Sequence, residues 1–485
     1  MHLYCICIFS VLFTFPCLAS GNLTEREALL SGLEHRYEIR ILRLENRIDS
    51  LKVESVRARR LPQITVAAGV SGVPYDSAGM RLRDARGAGF DTGSSTTSLV
   101  TADSLSVSQY LPGGGSVAAG ATFGNEAFWD GADSAVRSIA AGISVTQPLL
   151  RDAWRFGEVD YALRIARLDN KLFTLEQKKR LLSFCSDIRT RYWALYEAQS
   201  LATLYRTELA YARERTATER ARFSIGLAAP LDTLSAELSL INATARLHDA
   251  QSDELQTREE LAFYAGVVDS QVTIDTAAAV DCASLSPPEE MLRRVEAFDP
   301  RLRIFEVAAE RLELTRAQVR NSLLPRVDVR ASWSRSTVKT HPSEPEEFYG
   351  NAVIGLIASY AFPLKPRRLE LAGAAASLEK NRLERENYRE EVRLRLRELN
   401  RSWERERRAI EIALAAREIA GQTLAASREG FKAGTVDRLS LDKAENDFRS
   451  ASVDLLRKRL LMKRLEIVFD EMTGATLSRC GVEMQ

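Results

Sequence analysis

The side chains best suited to chemistry are few and widely separated. Only four histidines occur among the 485 residues, at His2, His35, His248 and His341. A metal site needs ligands at a defined spacing, and a Ser/Cys–His nucleophile needs a base with local support. Neither pattern is present, so we predict no catalytic residue, no metal site and no cofactor. The protein is not expected to be an enzyme.

Glycines and cysteines do not change this view. The run Gly113-Gly114-Gly115 lies between two alternating segments, which predicts a hairpin turn, because a phosphate-binding loop would need a following helix. Six cysteines occur, three of them before residue 20, and the others are scattered. An odd, scattered set is not a disulfide framework. Cys185 lies in a helical pattern and is predicted to be a small buried residue.

The charges are balanced. There are 67 Lys and Arg against 66 Asp and Glu, a net charge of +1, and the two signs alternate along long helical runs. Nucleic-acid binding usually requires a basic excess on one face, so nucleic acid is not expected as a partner. Interleaved charges are typical of solvated helix faces.

The first 20 residues predict an export signal. Residues 3–15 are almost wholly apolar and too short to span a bilayer, and small residues follow. Cys17 leaves lipidation open as an alternative. No later segment reaches 18 apolar residues. The remaining destinations are the periplasm, the medium, or an outer-membrane barrel.

The elements that would position any site occur twice. Residues 223–266 and 431–474 align without a gap at an offset of 208, including Gly226 with Gly434 and Leu231 with Leu439. Such internal duplication determines the architecture. The predicted divisions are a signal peptide at 1–20, a first repeat at 21–267, a linker at 268–288, a second repeat at 289–475 and a tail at 476–485. Strands are expected at about 62–147 and 325–363, and long helical hairpins at about 150–266 and 366–474.

The strand segments alternate with period two. The first block predicts four strands (62–70, 103–109, 116–123 and 138–147) and the second predicts two (326–334 and 352–362). Apolar residues on one side and small or polar residues on the other are typical of transmembrane β-strands, although a half-buried soluble sheet has the same period. In the clearest strand we expect four residues to face lipid: Val327, Val329, Ala331 and Trp333.

The helical segments are long. A charged amphipathic helix is predicted over 23–59, and the stretches 155–224 and 367–429 show apolar residues at coiled-coil spacing. Each long stretch would measure roughly 90–100 Å if wholly helical. Each ends at a glycine that suits a left-handed helix terminus, Gly226 or Gly434, and a second helix follows. Asp232 and Thr435 are the expected capping residues of those second helices.

The duplicated unit, the exit Gln147-Pro148-Leu149 and the pattern around Gly226 and Asp232 resemble the TolC-type outer membrane efflux proteins. The resemblance implies a mixed α and β membrane fold, in which long coiled-coil helices and transmembrane strands form a channel-tunnel shared by a homotrimer. It also implies that the hairpin tips bind a periplasmic adaptor protein connected to an inner-membrane transporter. The tip residues so assigned are Gly226, Leu227, Asp232, Gly434, Thr435 and Val436.

Two features depart from the family. Its members usually have two strands per block, whereas four are predicted in the first block here. The best-known member of the family also places aspartates six and nine residues after the second-copy glycine, where this chain has Ser440 and Lys443. Asp437 and Asp442 are nearby but out of register. These four residues are the candidates for the periplasmic gate.

The predicted function is the outer-membrane exit duct of a tripartite efflux or type I secretion system. The protein would lie in the outer membrane, in contact with its lipid, with a large helical portion in the periplasm. Two alternatives remain at this stage: a periplasmic coiled-coil scaffold without a pore, and a small-solute porin. The sequence does not identify the transported substrate or the pump.

Overall fold

The structure, a computed structural model, describes residues 23–76, 95–128, 135–226, 228–267, 272–276, 288–339 and 347–476. The predicted signal at 1–20, Leu227, and most of the linker at 268–288 and of the tail at 476–485 lie outside these ranges. Within them, none of the helices has an apolar stretch long enough to span a membrane.

The two copies have the same order of elements. The first contains α1 (Glu25–His35), α2 (Tyr37–Ala58), β1 (Gln63–Asp76), β2 (Ser95–Tyr110), β3 (Ser116–Phe128), β4 (Ala135–Pro148), α3 (Glu158–Ser224) and α4 (Pro230–Ala265). The second contains α5 (Pro288–Phe298), α6 (Pro300–Asn321), β5 (Arg326–Lys339), β6 (Glu347–Ser359), α7 (Lys365–Lys432) and α8 (Arg438–Thr473). The prediction of four strands followed by two is confirmed.

The expectation of one helix over 23–59 was wrong, because the helix is interrupted at Arg36. Its backbone is extended there, with φ −70° and ψ 134°, and its guanidinium donates to the Phe263 carbonyl at 3.1 Å. In the second copy the helical segment is interrupted at the matching residue, Asp299, directly before Pro300. A residue before proline is disfavoured in the helical region. The Asp299 carboxylate accepts a bond from the Tyr388 hydroxyl at 2.7 Å, and burial together with this bond raises the pKa of Tyr388.

The chain divides into two compact units. The first comprises residues 1–44, 176–302 and 387–485, and the second comprises 45–175 and 303–386, so that α3 and α7 contribute to both. The main core of the first unit joins α1, α3 and α4. Its most buried side chains are those of Ala28, Cys185, Ile188, Leu195, Leu261 and Ala265. The prediction that Cys185 is buried is therefore confirmed.

A buried ion pair ties the two copies together within the first unit. The Arg189 guanidinium on α3 donates to the Asp470 carboxylate on α8 at 2.7 Å, and it also contacts Glu25 on α1. Arg189 and Asp470 are each only 3% exposed, whereas Glu25 is partly exposed. A charge at that depth is tolerated only when it is paired and hydrogen-bonded.

The second unit is built on one antiparallel sheet with the strand order β1-β2-β3-β4-β5-β6. The strands extend beyond the predicted segments; β2, for example, begins at Ser95 rather than near 103. The prediction followed apolar residues, whereas ladder hydrogen bonds continue into polar sequence. The glycine run forms the β2–β3 turn, with Tyr110 opposite Ser116. The hairpin predicted around Gly113–Gly115 is therefore confirmed.

Asp470→Asn should destabilise the first unit, because it leaves the buried Arg189 guanidinium with only the partly exposed Glu25 carboxylate. We expect a loss of about 3 kcal/mol in the free energy of unfolding, measured by denaturant titration in detergent. Asp454→Asn, an exposed position on the same helix α8, is the control and should change stability by less than about 0.5 kcal/mol. Equal changes in the free energy of unfolding for the two variants would show that the buried ion pair does not stabilise the first unit.

Candidate functional site

Both helical hairpins turn at a glycine with a left-handed backbone. Gly226 follows α3 with φ +75°, and Gly434 follows α7 with φ +77°. A Cβ added at either position would meet nothing within 4 Å. Backbone conformation therefore requires glycine at these turns, whereas space does not. The two tips are built alike, as the sequence offset predicts.

The second helix of each hairpin begins with a different cap. At the start of α4 the Asp232 carboxylate accepts a bond from the Ala229 N–H at 3.1 Å. At the start of α8, Asp437 is the capping residue and accepts from the Ser440 N–H at 3.3 Å. Hydrogen bonding to Ser440 lowers the pKa of Asp437. The expectation that Thr435 caps this helix was wrong, since its hydroxyl bonds to the Gly430 carbonyl at 3.1 Å.

The tip residues assigned by resemblance lie together at the turns and are mostly exposed. Gly226 and Asp232 belong to the first tip, and Gly434, Thr435 and Val436 to the second, while Leu227 lies outside the described residues. Their role in adaptor binding stays a prediction.

Sequence reasoning missed the most prominent apolar side chains at the tips. Leu231 is 75% exposed and Leu439 is 77% exposed, and each lies five residues after its turn glycine. They occupy equivalent positions at the offset of 208. The signal that could have identified these leucines is their repetition beside both turns, where there is no hydrophobic core to bury them. These two residues form what we call the tip leucine pair.

Of the four gate candidates, the structure gives only Asp442 a described bond to the other hairpin. Its carboxylate accepts a bond from Arg215 on α3 at 2.6 Å, and Arg438 lies 3.3 Å away on α8. Burial and the neighbouring Arg215 lower the pKa of Arg438. Ser440 and Lys443 are exposed, and Asp437 is a helix cap.

Farther from the tips, a second ionic link joins the hairpins. The Glu208 carboxylate on α3 accepts from Arg246 on α4 at 2.7 Å and also from Arg449 on α8. Arg428 on α7 stacks over the Tyr211 ring on α3, 4.7 Å from its centroid. These groups line a cavity of about 340 Å³ between the hairpins. Charged links near the tips thus hold the first copy to the second.

One face of the sheet is mainly apolar, with Asp103 of β2 and Arg335 of β5 as charged residues in its rows. In one row across all six strands, Ile64 pairs with Val107 and the row continues through Ala119, Ile143, Trp333 and Ala352. The next row is Thr65, Ser106, Gly120, Gly142, Ser334 and Asn351. Adjacent rows point to opposite faces. The apolar side chains are open to the surroundings, with Ile64 69% exposed.

All four strand residues predicted to face lipid occupy this apolar face. Ala331 lies between Val145 of β4 and Ile354 of β6, midway along the apolar part of β5. Ile354 is 85% exposed. Arg330 belongs to the opposite face, between Thr146 and Gly355. The contact with lipid itself stays a prediction.

Comparison with known proteins identifies the family. The model of the outer membrane efflux protein family matches residues 31–267 and 292–475, which is most of the chain. The chain belongs to the outer membrane efflux protein family. Proteins of this family are outer-membrane channels rather than enzymes, and the predicted localisation in the outer membrane is confirmed. A search of curated protein sequences finds no significant relative.

Solved structures show the same fold. The outer-membrane channel OprN is 17% identical, with a TM-score of 0.65, covering 93% of this chain and 89% of that chain. VceC from Vibrio cholerae is 13% identical, with a TM-score of 0.64 and coverage of 93% and 96%. The open state of MtrE from Neisseria gonorrhoeae is 16% identical, with a TM-score of 0.65 and coverage of 93% and 88%. The predicted fold class is confirmed.

Among the described residues, no group of His, Cys, Asp and Glu side chains could hold a metal ion. The candidate functional features of this chain are the two tips, the ionic links between the hairpins and the two-faced sheet.

Ala331→Arg should impair assembly in the outer membrane, because it places a charge in the middle of the apolar face. A cost of about 2–4 kcal/mol is expected for a lipid-facing arginine near the membrane midplane. The measurement is the amount of assembled protein in outer-membrane fractions. Ser332→Arg, the next residue on the opposite face, is the matched control and should assemble normally. Normal assembly of Ala331→Arg would mean that this face does not contact lipid.

Proposed function

We propose that this protein is the exit duct of a tripartite assembly, in which three copies form one channel across the outer membrane. An adaptor protein in the periplasm would connect the channel to an inner-membrane transporter of an efflux or type I secretion system. Family membership supports the outer-membrane channel. The sheet edges support the trimer, and the tips support the adaptor partner.

The proposal of a trimer depends on the two edges of the sheet. Among the described strands, β1 and β6 are the two edges, and each has a neighbour on one side only. Unpaired backbone groups in lipid cost several kcal/mol each, so open edges do not occur there. Six strands of ordinary length are also too few to enclose a channel. Pairing β1 of one copy with β6 of the next removes every edge once the ring closes, and three copies are the number that the family uses.

The tips are proposed as the adaptor site. The tip leucine pair, Leu231 and Leu439, exposes two apolar side chains beside the turns, and Ile225 at the first turn is exposed as well. An adaptor hairpin with its own apolar residues would bury them. The gate is assigned to the nearby link between Arg215 and Asp442, which joins the two hairpins. Adaptor docking beside this link would separate the hairpins and open the tube to the transported substrate.

The trimer is tested by mass. The protein, extracted in mild detergent, should run as a single species with the mass of three chains, and it should require detergent to stay in solution. Light scattering or native mass spectrometry measures this directly. A monodisperse monomer that is soluble without detergent would overturn the proposed duct.

The docking site is tested at the second tip. Leu439→Gln removes an exposed apolar side chain without straining the backbone, and it should lower export and adaptor crosslinking at normal trimer abundance. Gly434→Val should do the same by distorting the turn, since a side chain at a left-handed position costs about 1–2 kcal/mol. Gly373→Val is the control, because Gly373 lies in α7 with open space and an ordinary backbone.

A photo-crosslinker at Thr435 separates docking from simple chain reversal. If the tip docks, the crosslinker captures a periplasmic protein in wild-type cells and captures less of it in Leu439→Gln. Trimers that form normally but yield no crosslinked protein in either strain would contradict the assignment of the tips.

A further inference from the structure

The β2–β3 hairpin is part of the sheet and not a loop outside it. Every residue of β1 from Gln63 to Asp76 has a partner in β2, and β3 is paired with β4 from Ser116 to Ala127. The hairpin therefore separates β1 from β4 by two complete strands. Each copy contributes six strands, as the sequence predicts, whereas members of the family usually have four.

The hairpin has the same two faces as the rest of the sheet. Leu105, Val107 and Phe123 lie in the apolar rows, whereas Ser104, Ser106 and Thr122 lie in the polar rows. A segment that folded across the mouth of a channel would not need an apolar face continuous with that of its neighbours. The hairpin is thus suited to form part of the barrel wall, with its apolar face toward lipid and its polar face toward the lumen.

The helices of the second unit are linked to one another by side chains. Arg60, two residues after α2, pairs with Asp160 on α3, and Arg311 on α6 pairs with Asp169 on α3. Asn381 on α7 then donates to the Phe305 carbonyl on α6 at 3.1 Å. Three copies supply twelve helices. With neighbouring helix axes about 8–10 Å apart, these helices form a ring with a circumference of roughly 95–120 Å.

Strand number sets the circumference of the barrel. Strands about 4.8 Å apart and tilted about 40° give a circumference of roughly 113 Å for eighteen strands and roughly 75 Å for twelve. Eighteen strands therefore form the wider barrel. Its backbone diameter is about 36 Å, against about 24 Å for twelve strands.

We infer that the β2–β3 hairpin is the bore-setting element of this channel, which closes as an eighteen-stranded barrel wide enough for cargo of folded-polypeptide size. The inference rests on the proposed trimer. In β2, β3 and β4 the polar rows consist mostly of Ser, Thr, Gly and Ala, whereas β5 and β6 add larger side chains such as Arg330 and Val353. Small side chains on most of the wall leave roughly 25 Å of the lumen open. An α-helix is about 10–12 Å across, so two packed helices would pass.

The width is measured by one spin label per copy. Ser332→Cys places the label on the polar face of β5, beside Ser144 and Val353, in a protein whose other cysteines are replaced by serine. In a three-fold barrel, pulsed electron paramagnetic resonance reports the distance between equivalent backbone positions, shortened by the inward reach of the label. The backbone distance is about 31 Å for eighteen strands and about 21 Å for twelve.

A deletion of residues 77–134 provides the matched comparison. It removes β2 and β3, and the register then places Gly72 of β1 opposite Ala135 of β4, because both align with Leu99 and Ala127. The four residues 73–76 become a hairpin loop of ordinary length. Apolar residues stay on one face, since Ile64 comes to lie opposite Ile143. The label distance should be about 10 Å shorter in this variant.

The size of cargo is tested at the same cysteine. Maleimides carried by polymers of increasing radius, added from outside the cell, should label Ser332→Cys up to a larger cutoff in the full chain than in the deletion variant. Protein denatured in detergent should react with every polymer, which controls for reactivity.

The outcomes separate this inference from the proposed duct. A trimer by mass with a label distance near that of twelve strands would overturn the wide bore and leave the duct intact. Failure to form a trimer at all would overturn both, and the mass measurement reports it independently. If the deletion variant does not assemble, the distance and polymer cutoff in the full chain decide alone.

Discussion

The pairing of backbone N–H and C=O groups in lipid is the constraint on which the rest of the structure depends. β1 and β6 are edge strands of 14 and 13 residues, and about half of the backbone groups of each point away from the sheet. At several kcal/mol for each unsatisfied group, no packing elsewhere in one chain could offset two open edges in a bilayer. In the proposed trimer, assembly completes the folding of the second unit, because a single copy leaves both edges of its sheet unpaired.

The helical part solves a different problem. A long helix such as α3 or α7 buries only a stripe of its surface, so its stability comes from packing against neighbours. The first unit places apolar residues such as Ile188 and Leu195 in the core and joins the two copies with the buried pair of Arg189 and Asp470. Nearer the tips the links between hairpins are charged and more exposed, as between Arg215 and Asp442. Contacts between buried apolar side chains stay formed, whereas partly solvated ion pairs are weak enough to break and form again. That gradient suits a tube that must open only at its end.

Periodicity and duplication were sufficient to predict the six strands, the long helical hairpins, their order and the two faces of the sheet. The four residues Val327, Val329, Ala331 and Trp333 were assigned to one face by alternation alone, and the ladder places them there. The break at Arg36 was not visible, because nothing in its local sequence opposes a helix; its side chain finds partners in Phe263, over 200 residues away. Long-range contacts of this kind also fix the partners of Asp442. Sequence spacing named Asp442 as a candidate but could not supply Arg215.

Local capping chemistry explains why the two tips differ in detail although they share a glycine turn. In the first copy, Pro230 begins α4 and Asp232 satisfies a backbone N–H before it; in the second, Asp437 takes the capping position itself. The acidic residues near the second tip are thereby committed to a helix cap or to an ion pair with Arg215. A ring of aspartates facing the lumen would require carboxylates free of such partners. The engagement of Asp437 and Asp442 thus supports the proposal that the link between Arg215 and Asp442 within each copy forms the gate.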